Sequence, residues 1–142
     1  MSIVLRAGPR HVALFAAAAS AAALALPALA PAAVTNRPFN TPSGKIVCAY
    51  IHYPELKPPL GPAIRCDLLF LNDRAVYLGT SGKAQKVHVT DAVGDPRAKK
   101  LAYGTSRRFG RFTCTSRTTG LTCRNRNNGH GFTVSRESQK VF

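Results

Sequence analysis

Tryptophan is absent, methionine occurs once, and six acidic residues stand against 20 lysines and arginines in a chain of 142. The carboxylate supply is Glu55, Asp67, Asp73, Asp91, Asp95 and Glu137, and Asp73 and Asp95 fall in turn-like stretches. That scarcity argues against a glycosidase, which needs two converging carboxyls. No Cys-x-x-Cys and no His-Glu-x-x-His occurs, and His52, His88 and His130 lie far apart, so no metal spacing is present. No Gly-x-Ser-x-Gly elbow offers a nucleophile. His130 sits between two glycines, which reads as a hairpin turn before a strand rather than as a ring reaching a ligand. No amphipathic helical pattern exceeds two turns. These absences point away from an enzyme and imply no cofactor and no metal. A hydrolase whose site escapes motif reading is the enzymatic alternative.

What is present begins with a leader. Arg6, Arg10 and His11 precede an apolar run from Val12 to Leu26, interrupted only by Ser20 and ended by Pro27. This is a secretory signal pattern, and the run is shorter than the roughly 20 residues that span a bilayer. Cleavage after Ala32, with Ala30 three residues from the cut, avoids leaving Pro31 at the new N-terminus. Residues 1–32 are therefore read as signal peptide, 33–43 as an extended lead-in and 44–142 as one disulfide-stapled β domain. The location implied is secreted, extracellular or cell-wall associated, with no transmembrane segment after cleavage. Without Arg6 and Arg10, 18 basic residues face the same six acids, a net charge of +12.

The four cysteines sit in alternating strands. Phe112, Cys114 and Ser116 share one face, and Leu121, Cys123 and Asn125 resume it after a Gly-containing turn at 117–120. If Ser116 faces Leu121, then Cys114 faces Cys123. A non-hydrogen-bonded antiparallel pair brings Cα atoms to about 4.5 Å, within disulfide range. The same device fits Ile46, Cys48 and Tyr50 against Ile64, Cys66 and Leu68. Four cysteines allow three connectivities; 48–66 with 114–123 aligns both apolar faces, in an export compartment that favours bridges.

Between these hairpins, Pro54 to Pro62 carries four prolines and reads as a stiff surface loop. Short strands are predicted at 75–78, within 83–90, near Leu101 and Tyr103, and from Phe132. Residues 91–100 read as a polar connector, and 135–142 as one helical turn or a further strand. The expected fold is all-β, a small antiparallel barrel or sandwich of six to eight short strands.

Several segments, in order, carry a resemblance: Pro42 to Cys48 (P-S-G-K-I-V-C), Leu101 to Ser106 (L-A-Y-G-T-S), Gly120 to Asn125 (G-L-T-C-R-N), Gly129 to Phe132 (G-H-G-F) and Ser135 to Glu137 (S-R-E). The chain resembles a family of small exported actinobacterial proteins, a domain of unknown function with a P-S-G-N-I-x-C start. Lys45 departs from that start. The resemblance implies an exported β-rich domain and implies no activity.

The basic excess is the feature with functional reach. Arg107, Arg108, Arg111, Arg124 and Arg126 form the candidate anion-binding set, with Arg117, Arg136 and Lys140 nearby. Arg111, Arg124 and Arg126 fall opposite the bridge face, beside Thr113, Thr115 and Thr122. Such a face suits an anionic cell-wall polymer, an acidic membrane surface or an acidic protein. Nucleic acid fits poorly, since aromatic residues are not interleaved with the cations. A second partner expectation is an inhibitor-like protein contact through the proline loop.

Overall fold

Period-two alternation organises the computed structural model, which describes Ala30 and residues 33–57 and 59–142. The expected leader lies outside the described residues apart from Ala30. Ten strands form two five-stranded antiparallel sheets, and no described residue is helical. The first sheet is a meander of β1 (Thr35–Asn40), β2 (Ile46–Tyr53), β3 (Leu60–Leu68), β4 (Arg74–Leu78) and β5 (Gln85–His88). The second is a meander of β6 (Ser106–Phe109), β7 (Phe112–Arg117), β8 (Gly120–Asn125), β9 (Gly131–Val134) and β10 (Gln139–Val141). The sheets do not close into a barrel; they face one another as a sandwich, with β4 against β8 and β9.

Both predicted registers are present. Cys114 pairs with Cys123 and Ser116 with Leu121; Cys48 pairs with Cys66, Ile46 with Leu68 and Tyr50 with Ile64. Both disulfides form, with Cα separations of 4.0 and 4.1 Å, and all four cysteines are fully buried between the sheets. Around them lie Phe39, Phe109, Phe112 and Phe132, each at 0 % exposure. Full burial of a phenylalanine contributes about 2–3 kcal/mol, so these four rings are a substantial share of the core's apolar term, beside the buried Ile, Leu and Val of the same cluster. Phe39 stacks on Phe109 with centroids 4.7 Å apart, which joins the first strand of one sheet to the first strand of the other.

Several elements differ from expectation. Among the described residues strands number ten, against the six to eight expected. Within the expected lead-in, residues 35–40 are hydrogen-bonded to β2 as an edge strand. No strand forms at Leu101 and Tyr103; only an isolated bridge joins Lys100 to Asn40, and the strand that does form in this region is β6, a few residues later. The proline stretch ends early, because β3 begins at Leu60. Pro62 is tolerated in this central strand because the β2–β3 ladder is irregular between Ile51 and Tyr53, where a missing N–H costs no ladder bond. Gly61, at φ 83°, lies so close to the Ile51 carbonyl that no side chain fits. The C-terminal segment adopts the strand alternative.

The polar connector is pinned, not loose. Asn40, 1 % exposed, donates through Nδ2 to the carbonyls of Asp95 at 2.8 Å and Pro96 at 3.0 Å. Asp67, also buried, accepts from Arg65 at 2.8 Å and from the Val93 amide at 2.8 Å. Val93 and Gly94 thereby cover the outer face of the first sheet, where a Cβ on Gly94 would fall 2.8 Å from Val47.

Candidate functional site

The second sheet concentrates the charge. Residues 106–142 hold eight basic side chains and one acid, Glu137, whereas 33–105 hold ten basic and five acidic ones. The ion pairs among the described residues, Arg65 with Asp67 and Asp91 and Arg97 with Asp95, all lie in the first part. Asp95 is held below the usual carboxylate range mainly by the Arg97 backbone amide, which donates at 2.8 Å.

The register sorts the candidate arginines by face. Arg108 pairs with Thr113 and Thr113 with Arg124, which places all three in one row on the outward side. Arg108 and Arg124 stand two strands apart, about 10 Å at the usual spacing. The Arg126 amide donates to the Arg111 carbonyl at 2.8 Å, so these two exposed residues flank each other at the same end. Arg124 is steadied by the Phe142 ring, 5.3 Å from its guanidinium carbon. Arg107 is not brought to this group. It pairs with buried Cys114, faces inward, and rests 5.0 Å over Phe109, with Arg37 at 5.5 Å from the same ring. Alternation separates it from Arg108, its neighbour in sequence.

A second outward row runs across all five strands. Ser106 pairs with Thr115, Thr115 with Thr122, Thr122 with Thr133, and Thr133 with Lys140. The hydroxyls bond in pairs, Ser106 to Thr115 at 2.7 Å and Thr122 to Thr133 at 2.9 Å, and each keeps further hydrogen-bonding capacity. Thr113, Thr115 and Thr122 were legible as one face; Ser106 and Thr133 were not, because their place depends on β6 and β9 pairing. Arg117 lies at the far end of β7, about 20 Å from Arg111 along the strand. The face is therefore a band of hydroxyls with cations at both ends.

The described histidines fall on separate elements: His52 on β2, His88 on β5 and His130 in the turn after β8. The described residues hold no cluster of three or more His, Cys, Asp or Glu side chains able to ligate a metal. No helix among them is long and apolar enough to cross a membrane. Two buried disulfides are compatible with an extracellular location.

A family model described as a family of unknown function (DUF6636) matches residues 52–142. No curated protein matches the chain, and no solved structure does.

Proposed function

The chain belongs to that family of unknown function, and on the layout of its second sheet we propose that it is a non-enzymatic, exported binding domain for an anionic cell-envelope polymer, such as a phosphate-bearing glycan. The observation that carries this reading is the outward row of Arg108 and Arg124, with Arg111 and Arg126 beside it and no carboxylate among the paired positions. Like charges fixed on a rigid sheet repel one another in the free protein, and a polyanion relieves that repulsion. The neighbouring hydroxyl row supplies neutral donors and acceptors for the sugar or polyol between successive charges. The support is chemical: every component present suits a polyol carrying spaced negative charge.

The test is retention on immobilised poly(glycerol phosphate) as a function of salt. Exposed charges are screened over about 8 Å at physiological ionic strength, so retention should fall steeply as salt rises. Replacing Arg108, Arg111, Arg124 and Arg126 by Gln together should abolish it. Binding that is absent, or indifferent to salt, overturns the reading. Equal retention on anionic lipid vesicles would redirect it to a membrane surface.

One observation favours a second reading, a protein contact through the proline loop. Leu56 and Leu60 are 45 % and 37 % exposed beside Tyr53 and Ile51 at the end of the first sheet where β2 turns into β3. A proline-stiffened loop loses little entropy on docking. Replacing residues 54–59 with a Gly-Ser linker should remove such binding; retention would eliminate this reading.

A further inference from the structure

We propose that the cleft where the β1–β2, β3–β4, β7–β8 and β9–β10 turns meet binds a single phosphorylated sugar or polyol unit. It stands at the opposite end of β7 from Arg111, and its case is independent of the strand-face reading. The cavity is about 170 Å³, below the roughly 300–1,000 Å³ of sites for drug-sized ligands, so it suits one small unit.

Its lining combines three kinds of group. Lys45, Arg117 and Arg136 supply three cations, Phe70 and Tyr103 supply aromatic surface, and Glu137 supplies one carboxylate. None of these charges takes part in an ion pair among the described residues. Tyr103 is 46 % exposed, a large ring left facing solvent. A bare anion would meet Glu137 and gain nothing from the rings. A neutral sugar would leave three cations without a partner. A phosphorylated polyol uses all of them: phosphate on the cations, the C–H face on an aromatic ring, hydroxyls on Glu137, Ser43 and Ser135.

The walls are pre-set by backbone hydrogen bonds, which lowers the cost of ordering on binding. In the first turn Thr41 N donates to Ile46 O at 3.0 Å, and Gly44 N to Thr41 O at 2.9 Å. Gly104 N donates to Ser116 O at 2.8 Å, tying the Tyr103 turn to β7. Ser135 N donates to Ser138 O at 2.7 Å, and Ser135 Oγ accepts from the amides of Glu137 and Ser138 at 3.2 Å each. The residues come from five separate stretches of chain.

The test is calorimetric titration of the full exported chain with glucose 1-phosphate and, separately, with a short glycerol phosphate oligomer. Saturable binding of the monomer marks a free sugar phosphate as the ligand; binding of the oligomer alone, or more tightly, marks a polymer end. Arg117→Gln with Arg136→Gln should weaken either by tenfold or more, the scale of lost charge-assisted hydrogen bonds, and Tyr103→Ala should weaken it with its charges intact. Arg124→Gln with Arg126→Gln should leave monomer binding unchanged while impairing retention on the polymer matrix. These side chains are exposed, so the variants are expected to fold, and thermal melting checks it. No saturable binding of either probe, or affinity indifferent to the cleft substitutions, overturns the proposal.

Discussion

Removing one disulfide at a time isolates what holds this sandwich together. Consider Cys48→Ala with Cys66→Ala, and separately Cys114→Ala with Cys123→Ala. The bridges close loops of sequence separation 18 and 9. Chain-entropy arguments give about 3.2 kcal/mol for the longer loop and about 2.6 kcal/mol for the shorter, a difference of about 0.6. All four positions are at 0 % exposure, so the voids left by the lost sulfur atoms are comparable and largely cancel between the two variants. Removing both bridges should cost about 6 kcal/mol, similar to the whole stability of many small domains. Urea unfolding followed by circular dichroism reads both midpoint and slope. The slope should rise in each variant, because the released unfolded chain exposes more surface. A loss below about 1 kcal/mol at either site would refute the reasoning, since the staple would then constrain nothing that burial had not already fixed.

Three further outcomes are expected. Asn40→Ala removes the donor that holds the Asp95 and Pro96 carbonyls and should cost about 2–3 kcal/mol in the same denaturation assay, with amide exchange rising across 95–101; unchanged exchange there would contradict the clamp. Ser116 Oγ is buried without a hydrogen-bond partner among the described residues, so Ser116→Ala should leave stability unchanged or raise it by up to about 1 kcal/mol, and a clear loss would mean the hydroxyl has a partner. Burial raises the Tyr77 phenol above 10.0, partly offset by a hydrogen bond with the Gly61 backbone. A raised acid favours the neutral form in the fold, so its contribution is complete below pH 10.0 and is lost as pH rises through the folded value. Thermal midpoints should therefore fall above pH 10 in the native chain and fall less in Tyr77→Phe; identical alkaline profiles would remove Tyr77 as the cause.

Local alternation was legible because it needs only neighbours along the chain. Cys114 opposite Cys123 and Cys48 opposite Cys66 follow from counting outward from one turn, and the apolar faces agree with the count. Arg107 shows the limit of a charge tally. It stands beside Arg108 in sequence and on the other face of the sheet in space. Leu101 misled in the opposite direction. It is 7 % exposed and looks like a strand residue, yet its partner is a single hydrogen bond to the Asn40 carbonyl rather than a ladder.

The amino-acid order by itself determined the β class, the two stapled hairpins and the excess of positive charge toward the C-terminus, because period-two patterning, turn residues and composition act within a few residues. Tertiary structure alone decided that Thr35–Asn40 and Ser106–Phe109 are strands, that Phe39 stacks on Phe109, and that Lys45, Phe70, Tyr103, Arg117 and Arg136 border one cleft. Those outcomes depend on how two meanders are laid face to face by a connector that Asn40 and Asp67 hold in place. Such long-range closure is settled by the burial of whole faces rather than by any local pattern.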